Sequence, residues 1–172
     1  MLKRNLKEMV RAMNKFDYYF KRIICHLFIF LFSGITYYLL EILYKDTHTS
    51  HWSMFFLAGF SALFFIDGLN DIFSYDMDYL LQCFICATAI TIGELIVGLT
   101  LNIDYSIWDY RNVLFNYKGQ ICLPFYFLWM LLSAIFIPVL DYIEWKWFNF
   151  EPENPPYYKV CGKVVFRFGG DK

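Results

Sequence analysis

Charge is scarce in this chain, and so are the signatures of the common enzyme classes. Only 18% of its 172 residues are Asp, Glu, Lys or Arg, and the 15 basic and 16 acidic side chains leave a formal net charge of −1. A balance this close to neutral offers no electrostatic footprint for a nucleic acid, so none is expected as a partner. The chain contains no G-x-x-x-x-G-K-[ST] segment and therefore no P-loop to cradle ATP phosphates. It also lacks G-x-S-x-G and H-E-x-x-H, which removes the hydrolase nucleophile elbow and the zinc-protease helix. Its five cysteines form no disulfide framework. Cys25, Cys83, Cys86 and Cys122 fall in or beside apolar runs, where a thiol packs as a small apolar group, and Cys161 lies in the tail. Cys83 and Cys86 have CxxC spacing, but inside an apolar run with no βαβ pattern they read as packing rather than redox chemistry.

Apolar residues, in contrast, make up 59% of the chain and aromatic ones 23%. An ordinary soluble domain stays near about 45–50% apolar, so this composition points to lipid. Crossing a hydrocarbon core about 30 Å thick takes roughly 20 apolar residues in a helix. Four segments qualify, at about 23–44, 52–73, 79–103 and 121–144. The second is shorter in its purely apolar part and runs on through Asp67-Gly68-Leu69-Asn70; the third carries one charge, Glu94; Pro124 and Pro138 sit near the ends of the fourth. The expected fold is all-α: a polytopic bundle of four transmembrane helices over residues 23–144. An amphipathic basic segment, 1–22, precedes it, and a tail, 145–172, follows. In the first of these, Leu2, Leu6, Met9, Val10, Met13, Phe16 and Phe20 recur every three or four residues among Lys and Arg, as in a helix lying on a membrane surface or a solvated helix docking on the bundle. No Ala-x-Ala site follows the first span, which is expected to be retained.

Basic residues set the expected orientation. Twelve of the fifteen Lys and Arg lie before the first span or after the fourth. Four spans place both termini on one side, and the positive-inside rule makes that side cytoplasmic, in the plasma membrane. The loop between the second and third spans, on the same side, holds only Asp71, Asp76 and Asp78 among charged residues. In the tail, Glu151-Pro152-Glu153-Asn154-Pro155-Pro156 breaks any helix. Beyond it, Tyr158 to Phe168 alternates enough for a strand if a partner edge exists, with disorder as the default expectation.

An ionisable side chain at the centre of a bilayer costs about 2.5–3.5 kcal/mol on insertion scales, so each one in a span is a site candidate. Glu94 is the sharpest. It lies about 22 Å along the third span at 1.5 Å per residue, in the outer third of the membrane, between Gly93 and Gly98. Small neighbours let helices approach closely, so the carboxylate is expected to face inward against Arg111, Lys118 or a histidine. Glu41 falls at the outer end of the first span, and Asp109, Asn116 and Gln120 lie in the loop on the same side. Glu41, Glu94, Asp109, Asn116 and Gln120 therefore form a candidate substrate or ion pocket in the outer half. His48 and His51 with Glu41 and Glu94 are suitable zinc ligands by type, but their spacing matches no closed signature, so neither a metal nor a cofactor is expected. Asp67, Asn70, Asp71, Asp141 and Glu144 gather at the inner end and read as solvated helix ends.

The ordered run Gly93-Glu94-Leu95-Ile96-Val97-Gly98, Leu101-Asn102, Trp108-Asp109-Tyr110, Phe115-Asn116 and Gly119-Gln120-Ile121-Cys122-Leu123-Pro124, with Trp129, resembles the ABC-transporter type IV, or CmpB-like, family of small bacterial membrane proteins. The resemblance extends back through Glu41, Trp52-Ser53-Met54, Gly59 and Asn70-Asp71, and forward through Asp141 to Pro156-Tyr157. Arg111 and Leu114 depart from it, standing where the family usually has Ser and often has Pro. The resemblance implies a multi-helix permease-like protein with its ATPase on another chain, and marks Gly93, Gly98, Trp108, Tyr110 and Gly119 as a structural motif. Four spans are few for a permease, so a homo-oligomer or a separate ATPase subunit is the expected partner. Two other readings stay open: a membrane scaffold, sensor or assembly factor, and a membrane-embedded enzyme acting at lipid headgroups.

Overall fold

Inside a bilayer the backbone has no water to bond, and helices satisfy it internally. The computed structural model describes residues 15–44, 50–150 and 153–169. Among them are four helices long and apolar enough to cross a membrane. Helix α1 is Lys15–Tyr44, α2 is Trp52–Asn70, α3 is Tyr79–Leu101 and α4 is Leu123–Trp147. Residues 15–22 of the basic segment continue into α1 without a break, while 1–14 lie outside the described residues.

The helices are patterned for lipid outside and packing inside. On α1, Ile23, Leu27, Leu31, Ile35 and Leu39 recur every fourth residue and are all exposed, the face a lipid tail would cover, while Cys25, Ile29 and Ser33 are buried on another side. Helix α1 packs chiefly on α2, and α3 on α4. Two glycines set the first contact: a Cβ on Gly34 would lie 2.8 Å from the Phe55 carbonyl oxygen, and one on Gly59 2.9 Å from that of Phe30. Only a residue without a side chain lets the two backbones come this close.

Helix α2 is not uniformly α-helical. Its middle, Ser61–Asp67, is π-helical, a wider turn that the apolar run alone does not announce. That segment packs on α1, α3 and α4 and buries Ser61, Ala62, Ile66 and Asp67. It is therefore the axis of the bundle. The last turn of α4, Ile143–Trp147, is also π-helical and buries Glu144. Pro138, inside α4, has no N–H to give the carbonyl of Ala134, four residues earlier; the Tyr79 hydroxyl donates to that carbonyl instead.

Two β-ribbons close the ends. Strands β1 (Asn116–Tyr117) and β2 (Ile121–Cys122) belong to the loop between α3 and α4. Strands β3 (Tyr157–Val160) and β4 (Lys163–Arg167) form an antiparallel hairpin in the tail. The expectation of disorder there is corrected for residues 153–169: the partner edge is the tail's own second strand, turned at Cys161 and Gly162 in positive φ. The hairpin docks on the bundle. Tyr158 is 1% exposed, its ring 5.0 Å from that of Tyr79, and its hydroxyl donates to Asp141 at 2.6 Å. At the edge, Lys159 Nζ reaches Asp76 at 2.6 Å and the Tyr157 hydroxyl donates to the same oxygen at 3.1 Å.

Hydrogen bonds from Lys159 and then Tyr157 hold the Asp76 carboxyl below its usual value of 3.8. A depressed folded value means that the contribution is present above the usual carboxylate range and is lost as pH falls through the folded value. A spin label on Cys161, the one exposed cysteine, should therefore keep constant mobility from about pH 8 to about pH 5 and become more mobile below about pH 4. Asp76→Asn should give the mobile spectrum at neutral pH; an acid-insensitive spectrum would contradict this docking.

Candidate functional site

Buried polar groups collect at both ends of the bundle. At the end away from the termini, α3 stops at Leu101 and Asn102 opens a cap that runs to Cys122. Asn102 is fully buried and organises the cap: its Nδ2 donates to the Trp108 carbonyl at 2.7 Å and to Gln120 Oε1 at 3.0 Å, and its Oδ1 accepts from the Ile107 N–H at 2.9 Å. Gln120 returns a bond from Nε2 to the Asn102 carbonyl at 2.9 Å, and Trp108 Nε1 donates to the Gln120 carbonyl at 2.9 Å. Gly98 makes room for this exchange, since a Cβ there would lie 2.5 Å from Gln120 Oε1.

Beneath the cap lies Glu94, 3% exposed. The Tyr110 hydroxyl donates to its Oε1 at 3.0 Å, and the Trp129 indole N–H donates to its Oε2 at 3.0 Å. The expected partners Arg111 and Lys118 are elsewhere. Arg111 is exposed, lies over the Tyr105 ring, and pairs with Asp109 at 2.7 Å; Lys118 is exposed in the ribbon turn, its Nζ over the Tyr117 ring. Neutral donors thus replace the expected ion pair at Glu94. On its other side Glu94 lines a central cavity of about 50 Å³, walled by all four helices, with Ser33 and Tyr37 from α1, Ser61 and Ile66 from α2, and Trp129 from α4.

The five candidate pocket residues are not brought together. Glu94 lines the cavity; Gln120 is buried above it in the cap; Asp109 and Asn116 are exposed on the cap's outer surface. There Asn116 shapes the turn, donating to the Val113 carbonyl at 2.8 Å and accepting from the Gly119 N–H at 3.0 Å. Glu41 accepts from the Ser50 hydroxyl near the start of α2. The motif glycines and aromatics are structural in their contacts: Gly93 faces the Phe65 ring, Gly119 has φ +64°, and Trp108 and Tyr110 are both buried in the cap. His51 caps α2, its Nδ1 accepting from the Ser53 N–H at 3.3 Å, and His48 lies outside the described residues.

The end at the termini overturns the reading of solvated helix ends. Asp67, Asn70, Asp141 and Glu144 are all below 5% exposed. Asn70 Nδ2 donates to Asp141 at 2.6 Å, and Arg22 bridges Glu144, at 2.7 Å, and Asp71. His26 Nε2 lies 3.8 Å from Asp67 Oδ2. Three carboxylates and an amide are buried here: Asp67 and Glu144 lie in the π-helical segments of α2 and α4, and Tyr158 of the tail hairpin donates to Asp141. His26, Asp67 and Asp71 each bring a ligand atom within 4.8 Å of the others, but Asp71 already holds the Arg22 guanidinium, which makes this an ion-pair network. The signal was present in the sequence as helical spacing: Arg22 with His26, Asp67 with Asn70 and Asp71, and Asp141 with Glu144 each share a face.

Replacing Glu94 by Leu leaves the Tyr110 hydroxyl and the Trp129 N–H buried without an acceptor, at a cost of about 1–3 kcal/mol each. Glu94→Leu should lower the thermal unfolding midpoint in detergent by several degrees. Glu94→Gln, which keeps one acceptor, should lower it about half as much. A Leu variant as stable as the wild type would contradict this role for the carboxylate.

The family described as "Putative ABC-transporter type IV" matches residues 28–166, from the middle of α1 to the second strand of the tail hairpin. No curated protein and no solved structure matches the chain. The matched stretch includes Glu94 with its cap and the carboxylates Asp67, Asp71, Asp141 and Glu144 of the terminal end, and it contains three of the four spans and most of the first. The chain belongs to the Putative ABC-transporter type IV family, as a multi-pass membrane protein of a transport-related kind.

Proposed function

We propose that the chain is the membrane-embedded, permease-like subunit of a transport system, with a polar site in its outer half centred on Glu94. The observation that carries this reading is one carboxylate on the wall of a cavity shared by all four helices, under a cap that hydrogen bonds hold in place. A carboxylate that served only to lock helices would need no cavity beside it. Glu94 meets the solute or ion in this scheme; Gln120 and Asn102 form the lid, and Asp109, Asn116 and Glu41 give the approach its polar rim. Both termini face the cytoplasm of the plasma membrane, which the clustering of Lys and Arg at the chain ends supports. The chain has no P-loop, so nucleotide hydrolysis belongs to a separate subunit. That subunit docks on the basic and aromatic surface at the termini, and a second copy of the chain completes the pathway.

Purification of the tagged full chain from its native host in gentle detergent, with mass spectrometry of what accompanies it, tests this reading. An ATPase at near-equal stoichiometry is expected with both the wild type and Glu94→Gln. Recovery of the chain alone, with no nucleotide-hydrolysing partner, would overturn it.

A further inference from the structure

Between the tail hairpin and the bundle runs a groove whose lining is entirely apolar. It measures about 650 Å³ and is walled by Phe32 of α1, by Pro138 and Trp147 of α4, and by Val165, Phe166 and Phe168 of the tail. That volume falls within the roughly 300–1,000 Å³ of sites that hold one small molecule. Tyr79 and Tyr158 line it too, but their hydroxyls are given to the Ala134 carbonyl and to Asp141, so they offer the groove their rings. A bulge in β4 contributes to the wall. Tyr158 pairs with Phe166 and Lys159 with Val164, which leaves Val165 as the extra residue of the strand. Neighbours in a regular strand point to opposite faces, yet Val165 and Phe166 both line the groove. Its rim stays open, with Trp147 61% exposed, Val165 58% and Phe166 49%. Apolar surface gathered in this way marks a binding site for an apolar occupant.

Length and position say which occupant fits. From Pro138 to Trp147 is about 13 Å along α4 at 1.5 Å per residue. Half of a hydrocarbon core about 30 Å thick is about 15 Å, the depth that one acyl chain fills. Trp147 closes the fourth span, at the level where hydrocarbon gives way to headgroups. The charges at that level select the headgroup. Strand β4 begins at Lys163 and ends at Arg167, on either side of Val165 and Phe166, and Lys146 stands next to Trp147. Lys146 lies over the Trp145 ring, which in turn stacks on Phe168 of the groove wall. All three basic side chains are exposed, and among the described residues none of them forms an ion pair, whereas Arg22 and Lys159 do. Unneutralised basic groups beside transmembrane helices are where anionic phospholipid headgroups bind.

We propose that this groove is a lipid site: one acyl chain of an anionic phospholipid lies between α4 and the hairpin, and Lys146, Lys163 and Arg167 hold its phosphate. The bilayer supplies the ligand. The site leaves the contacts of Tyr158 with Asp141 and of Lys159 with Asp76 in place, so the hairpin docks through them as before. It involves neither Glu94 nor an ATPase and is independent of the permease reading.

The test uses the full chain, purified in gentle detergent and stripped of native lipid. It is mixed with equal amounts of phosphatidylglycerol and phosphatidylcholine of the same acyl chains, and bound lipid is counted by native mass spectrometry. One phosphatidylglycerol per chain is expected, at about ten times the phosphatidylcholine occupancy. The double variant Lys163→Gln with Arg167→Gln should bring the two lipids to near-equal occupancy. Val139→Trp, from the α4 wall, and Val165→Trp, from the strand, fill the groove and should each lower the occupancy of both lipids severalfold. A spin label on Cys161 that keeps its wild-type mobility shows that the hairpin of a variant is still docked. A wild-type chain that retains no lipid, or that holds the two lipids equally, would overturn the site. So would a lipid-free dimer, which would mean that a second copy fills the groove. Because no ATPase is present, either result leaves the permease reading where it stands.

Discussion

Hydrocarbon offers no hydrogen bonds. A charged group inside this bundle is therefore best satisfied by partners from the chain itself, and the bond between Tyr110 and Glu94 is where that constraint shapes most of the structure. Glu94 sits about two turns below the end of α3 and is 3% exposed. Its oxygens are satisfied by a tyrosine from the cap and an indole from α4. To bring Tyr110 down to it, the loop from Asn102 to Cys122 folds over the helix ends, and Asn102, Trp108 and Gln120 exist in the cap to hold that fold. Gly98 provides the space for Gln120. The motif is a support for one carboxylate.

The terminal end solves the same problem with more charge. Carboxylates from α2 and α4 are buried there, Asp67 and Glu144 within π-helical segments, with Arg22 on Glu144 and with Asn70 and Tyr158 on Asp141. Tyr158 comes from the tail, so the hairpin is part of the bundle's hydrogen bonding and not an appendage. Tyr79 belongs to the same economy of partners: it stacks on Tyr158 and serves the carbonyl that Pro138 leaves without an N–H. Between the two ends the interior is lined by apolar residues and isolated hydroxyls, and the cavity lies there.

Much of this was legible in the sequence. The four spans follow from long uncharged runs, because a transmembrane helix is written in consecutive residues. Glu94 stood out because one charge in such a run has few explanations. Its partners were not legible in the same way. Arg111 and Lys118 were the natural choice by charge, yet Tyr110 and Trp129 hold the carboxylate, and Trp129 lies 35 residues away on another helix. The terminal carboxylates were misread for a related reason. Asp67 and Glu144 fall near span ends, where solvation is the usual outcome, and nothing in the local sequence shows that they are buried in π-helical segments or that a later hairpin brings Tyr158 to Asp141. Spacing showed which residues share a face of one helix; which faces meet is a property of the packed bundle.

A double-mutant cycle on Glu94 and Tyr110 tests this account most directly. Tyr110→Phe keeps the ring that stacks 4.6 Å from Phe125 and removes only the hydroxyl, and Glu94→Leu removes both acceptor oxygens. Unfolding free energies of the wild type, the two single variants and the double variant should show a coupling of about 1–3 kcal/mol. Additivity within about 0.5 kcal/mol would mean that the cap and the carboxylate are energetically independent, and would contradict the account.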